Sequence, residues 1–275
     1  MSVLPLFGLS QSDVEKMEAK RDVKGLIKAL TYKDPLVRHK AAFALGRIGD
    51  AQAVDALVAA LNDSDANVRL TVALALAAIN TENKLQDAKM WYKIGIILRK
   101  LGCFADSIKC YDKALKIDPQ DAMTWNDKGN SFADLGHLAE SVECYNEALK
   151  IAPQDAMIWY NKGISLGSLS RFPESIECFN KALNINPQYA KAWYNKGVSL
   201  ASLCRFAEAL KCYDKTLEIN PKHVKAYYNK AGILDALGQR TTAAVYYRKC
   251  IEMASPQYAD LIKDARQRLR ELEGS

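Results

Sequence analysis

Trp91, Trp125, Trp159 and Trp193 stand 34 residues apart, and the next step lands on Tyr227. Gly95, Gly129, Gly163 and Gly197 keep the same step, with Ala231 next. So do Tyr111, Tyr145, Phe179, Tyr213 and Tyr247, and then Pro119, Pro153, Pro187 and Pro221. A fixed period of this length restricts the chain to stacked copies of one small unit. Within a copy, Trp193, Gly197 and Leu200 share one face of a helix, and Ala209, Leu210, Tyr213 and Leu217 form a second apolar stripe. A break near Leu203-Cys204-Arg205-Phe206 separates the two. Pro173 fits the first turn of a second helix, and Pro221 and its equivalents end it. One helix pair cannot bury these faces, whereas a stack can.

This pattern resembles the tetratricopeptide (TPR) repeat. The copies are 88–121, 122–155, 156–189, 190–223 and 224–258. Residues 259–273 carry an apolar stripe of Leu261, Ile262, Ala265, Leu269 and Leu272, and read as a capping helix with Arg266, Arg268 and Arg270 outside.

Ahead of these copies a different period appears. Val23, Leu26, Leu30, Asp34, Val37-Arg38, Ala42, Ala44, Leu45 and Ile48 recur 31 residues later, from Val54 to Ile79. The pattern is similar to the short HEAT repeats also found in phycobilin-lyase-type proteins. That resemblance implies helix pairs over about 23–50 and 54–80, with Asp34 or Asp65 pairing with an arginine of the adjacent repeat. Ser12-Asp13 is the expected cap of a preceding helix near 13–20. Segment 81–87 lacks Gly, Pro and Ser and reads as a short rigid junction. The expected fold is therefore an all-α solenoid of antiparallel helix pairs. A HEAT segment, 1–86, precedes a TPR array with its cap, 87–275.

Chemistry is sparse. Seven cysteines without an export signal read as reduced thiols of a cytoplasmic protein. Cys110, Cys144, Cys178 and Cys212 recur once per repeat. Residues spaced by whole repeats cannot converge on one zinc ion, so they read as packing residues. Cys103, Cys204 and Cys250 have no evident partner. His39, His137 and His223 lie at no ligand spacing and read as surface polar residues. No phosphate-binding, nucleophile or zinc motif occurs. The expectation is a non-catalytic protein with no cofactor and no metal. No stretch reaches the ~20 apolar residues that span a bilayer.

The TPR resemblance implies that the first helix of each copy lines a concave groove. Two residues after the tryptophan position stand Lys93, Asp127, Asn161, Asn195 and Asn229. The three asparagines resemble the ladder by which superhelical TPR proteins bond a peptide backbone, since an amide both donates and accepts. The alternative is an asparagine that bonds locally. Beside them stand Tyr92, Asn126, Tyr160, Tyr194 and Tyr228, and Lys191 and Lys225 complete the expected site. A chaperone-tail carboxylate clamp is incomplete, because Tyr92, Asn126 and Tyr160 replace its lysine and only Asn195 and Lys191 match in part. Lys128, Lys162, Lys196 and Lys230 recur one position later. They are either packed stems with lifted ammoniums or a row of charge along a groove wall. The second reading, with the net charge of +6, favours an acidic or phosphorylated peptide. The functional expectation is a protein-interaction scaffold. A self-assembling protein and an RNA-binding array are the alternatives, and nearly balanced charge over residues 1–86 counts against the latter.

Overall fold

The computed structural model describes residues 8–79 and 88–274, so the expected junction 81–87 lies outside the described residues. Among the described residues there are sixteen α-helices and no strand. The fold class is an all-α solenoid. Two compact units, Met1–Cys144 and Tyr145–Ser275, divide the chain within one helix.

In the first unit, α1 (Gln11–Ala19) precedes the 31-residue repeats, which are α2 (Val23–Ala29) with α3 (Pro35–Ile48) and α4 (Val54–Ala60) with α5 (Ala66–Ala78). Asp34 and Asp65 cap α3 and α5 by accepting from Leu36 N and from Asn67 N and Val68 N. The expected aspartate–arginine pairing exists but uses a different carboxylate. Arg38 forks onto Asp63, with Nε–Oδ2 at 2.7 Å and Nη2–Oδ1 at 2.8 Å. Asp34 and Asp65 are taken by their caps, whereas Asp63 faces the preceding repeat. The first helix also starts earlier than Ser12-Asp13 suggests. Ser10 is its N-cap, and the Ser10 amide donates to Asp13 at 3.0 Å.

The 34-residue copies begin with α6 (Ala88–Lys100) and α7 (Phe104–Ile117), followed by α8 (Ala122–Asp134) and α9 (Leu138–Ile151). One core runs from Val14 of α1 through Leu45 and Leu76 to Trp91 and Ala114. The HEAT-like helices and the first 34-residue copy therefore share buried surface.

The second unit holds α10 (Ala156–Ser168), α11 (Phe172–Ile185), α12 (Ala190–Ser202), α13 (Phe206–Ile219), α14 (Val224–Ala236), α15 (Arg240–Met253) and α16 (Ala259–Glu273). The recurring glycine and aromatic residue explain each other. A Cβ on Gly163 would lie 2.7 Å from the Phe179 ring, and one on Gly197 2.7 Å from the Tyr213 ring. The absent side chain lets the paired helix approach onto the ring. The cap is as expected: Ala265 of α16 is buried with Tyr247 and Cys250, flanked by Leu261, Leu269 and Leu272.

The tryptophan–proline period also has a physical cause. Trp125, Trp159 and Trp193 donate from Nε1 to the carbonyls of Pro119, Pro153 and Pro187, at 3.1, 2.9 and 2.9 Å. Tyr227 repeats the bond to Pro221 through its hydroxyl at 3.1 Å. Each bond ties the start of one copy to the turn that ends the preceding one. Trp193→Phe keeps most of the ring and removes the donor. It is expected to cost about 1–2 kcal/mol in urea unfolding, and Tyr227→Phe about as much.

Cys110, Cys178, Cys212 and Cys250 are buried, and burial raises the Cys110 thiol to about 12 and the other three to about 11. They are unreactive packing atoms at neutral pH.

Candidate functional site

The first helices α10, α12 and α14 each present a trio at i, i+3 and i+7 that begins with an asparagine. These are Asn161/Ile164/Ser168, Asn195/Val198/Ser202 and Asn229/Gly232/Ala236. The spacing places each trio on one helix face. Two open grooves lie along this face. One, of about 240 Å³, is lined by Asn195, Ile164, Val198 and Phe172 among others. The larger, of about 690 Å³, is lined by Asn229, Tyr228, Val198, Ser202, Asp235 and Arg268 among others.

Of the tyrosines beside the asparagines, Tyr228 lines the larger groove, whereas Tyr160 and Tyr194 line neither and pack among aromatic rings. Tyr160 packs between Phe179 and Tyr189, with centroids 6.0 and 4.8 Å away. Tyr194 packs between Tyr213 and His223, at 5.9 and 4.6 Å. His223 is therefore more than a surface residue: its Nδ1 caps α14 by accepting from Ala226 N at 3.2 Å. Burial lowers its pKa. Each phenol then meets the asparagine of the next copy. Asn195 Nδ2 donates to Tyr160 Oη at 3.2 Å, and Asn229 Nδ2 to Tyr194 Oη at 3.1 Å. At the end of the array, Tyr228 donates to Asp264 of the cap. Burial first, then this carboxylate, raises the Tyr228 phenol to about 12.

The first unit repeats the device with a carboxylate. Tyr92 donates to Asp127 at 2.8 Å, and Asn130 Nδ2 donates to the same group at 3.1 Å. Asn126, expected beside them in the site, is only 1% exposed, and its amide turns to Asp127. It offers nothing to a ligand. Lys191 and Lys225 are exposed at the starts of α12 and α14, outside both groove linings.

The recurring lysines face the second helices. Lys128 pairs with Asp112 of α7 at 2.6 Å and lies 4.9 Å from the Trp125 ring centroid. Lys230 pairs with Asp214 of α13 and donates to Tyr246 at 2.7 Å. Lys162 and Lys196 lie over Trp159 and Trp193, at 5.3 and 5.1 Å. These are packed stems rather than a groove wall.

Ile164, Val198, Ser202 and Arg268 were absent from the sequence-based site. The first three were legible, since they follow the asparagines by three or seven residues on the same helix face. Arg268 was not, because it arrives from the capping helix. Among the described residues no group of His, Cys, Asp and Glu could hold a metal ion. No described helix is long and apolar enough to cross a membrane.

Comparison with known families matches HEAT repeats over residues 23–93. Tetratricopeptide repeats match over 88–121, 156–189 and 190–223, with further TPR matches over 129–170 and 212–244. The chain is a tetratricopeptide repeat protein with HEAT repeats ahead of the array. No curated protein matches it. Solved TPR structures do. MamA is 27% identical, with 58% of this chain and 94% of that one covered at a TM-score of 0.56. MamA from Desulfovibrio magneticus RS-1 is 19% identical, with 60% and 94% covered at 0.58. YrrB, described as a TPR protein with an unusual peptide-binding site, is 22% identical, with 68% and 95% covered at 0.57. The last two likenesses carry the TPR fold alone.

Proposed function

We propose that this TPR protein is a non-catalytic scaffold that holds an extended or helical segment of a partner protein along its first helices. The observation that carries the reading is the larger groove. It is open and pairs an apolar wall of Val198, Phe206 and Ile233 with Asn229 and Tyr228. Peptide grooves combine such walls with a few fixed polar groups. YrrB is described as a TPR protein with an unusual peptide-binding site, which fits this reading. Asn161, Asn195 and Asn229 are the contacts to the bound segment, and Lys191 and Lys225 stand at its edge. The HEAT segment 1–86 and the array 87–275 act as two repeat arrays, the first adding contact area beside α6 and α7.

The test is a pull-down from host lysate, with wild type beside an Asn161/Asn195/Asn229→Ala triple variant. Circular dichroism checks that both are folded. The expected result is a partner held by the wild type and lost by the variant. Equal retention by both would move the site off this face.

A further inference from the structure

We infer that the groove selects its ligand by hydrogen-bond donors: a peptide segment that presents backbone N–H groups and Lys or Arg side chains, in preference to an acidic or phosphorylated one. The inference rests on the groove reading above and adds the chemistry of the partner.

The amides that line the grooves have their donors engaged inside the protein. Asn195 Nδ2 bonds Tyr160 Oη at 3.2 Å and the Lys191 carbonyl at 2.9 Å. A carbonyl cannot donate, so the atom facing it is the nitrogen, and the amide orientation is fixed. Both of its hydrogens are used, and Oδ1 is left for a ligand. Asn229 Nδ2 bonds Tyr194 Oη at 3.1 Å. Ser202 donates to the Val198 carbonyl at 3.1 Å, and Tyr228 donates to Asp264. Asp235 adds a carboxylate to the lining, and it forms no ion pair among the described residues.

The cations do not reverse this. The Lys128, Lys162, Lys196 and Lys230 row is turned to the second helices. Arg268 brings one charge to the larger groove, where the carboxylates of Asp264 and Glu271, each 4.0 Å away and so not hydrogen-bonded to it, together with Asp235 outnumber it. What remains is an acceptor-rich face, and a ligand loses little on desolvation only if it brings donors. The acidic preference expected from the lysine pattern loses its basis here.

Asp127 supplies the design of the test. It occupies the asparagine position in the second copy and keeps the tyrosine bond, because Tyr92 donates to it. Asn→Asp therefore keeps the tyrosine bond, with the phenol donating, and keeps the acceptor while adding negative charge; at Asn195 it gives up the bond to the Lys191 carbonyl. Asn→Ala removes both the tyrosine bond and the acceptor.

The experiment selects a random peptide display library on the full chain. The best peptide is then titrated against wild type, Asn195→Asp/Asn229→Asp and Asn195→Ala/Asn229→Ala, with circular dichroism on each. The expected selection is enriched in Lys and Arg over Asp and Glu. The Asp variant is expected to bind about tenfold tighter at low salt, with the gain shrinking as salt rises. The Ala variant is expected to bind about tenfold weaker. An acid-enriched selection overturns the inference and leaves the groove reading standing. So does an Asp variant weakened as much as the Ala variant. A library that yields no binder overturns the groove reading, and this inference with it.

Discussion

Arg38→Ala is expected to lower stability by about 3–5 kcal/mol, read from the urea unfolding midpoint of the first unit's transition. The Arg38 and Asp63 side chains are only 12% and 9% exposed. Losing the guanidinium strands a buried carboxylate. It also releases the carbonyls of Tyr32 and Lys33, which Arg38 Nη1 holds at 2.8 and 3.1 Å. The partial substitutes are the Asp65 amide, 2.8 Å from Asp63, and the more distant charge of Arg69. Removing both partners is a different perturbation. Arg38→Met/Asp63→Leu is expected to recover most of the loss, because it buries no unpaired charge. The pair also sets a pH dependence. The Arg38 hydrogen bonds hold the Asp63 carboxyl below its usual value of 3.8. A depressed folded pKa means that the stabilisation is present above the unfolded value and fades as pH falls through the folded one. Wild type should therefore weaken below about pH 4. The double variant should lack that component. A single variant that costs under about 1 kcal/mol would show the pair to be solvent-screened, as surface pairs are.

That ion pair marks how far the sequence could be read. The 34-residue and 31-residue periods were legible because each repeat position meets the same neighbours in every copy. The glycine facing an aromatic ring and the tryptophan above a proline turn are properties of the stack and recur with it. Two things were hidden. First, Asp63 and Asp65 are close in sequence, and only the fold shows that one caps a helix while the other reaches the preceding repeat. Second, adjacent residues on a helix point about 100° apart. The asparagines and the lysines after them are neighbours in sequence, yet they face opposite tasks. The period counts both rows but does not say which side of the helix meets the second helices. The tyrosine that holds each asparagine lies 35 residues earlier, in another copy, and nothing local announces it.

The second large effect is expected at Tyr213. Tyr213→Ala should cost about 3–5 kcal/mol in urea unfolding of the second unit, the range for deleting a buried aromatic ring. The residue is 1% exposed and packs against Gly197 and Tyr194. Its loss also removes support from the Tyr194 ring and from Asn229, so peptide binding should fall with stability. Tyr213→Phe keeps the ring and should cost only about 1 kcal/mol, the worth of a phenol hydrogen bond. Phe179 already serves at the equivalent position, also 1% exposed. A double-mutant cycle with Gly197→Ala isolates the cause. In wild type the added methyl meets the Tyr213 ring and should cost about 1–3 kcal/mol. In Tyr213→Ala the ring contact is gone and only the Cys212 Cβ, 3.2 Å from the added methyl, still crowds it, so the methyl should cost clearly less. The coupling should reach at least 1 kcal/mol. Equal cost in both backgrounds would mean that glycine is kept there for the backbone and that the ring contact is incidental. The pairing of glycine with an aromatic ring at Gly95, Gly163 and Gly197 would then need another origin.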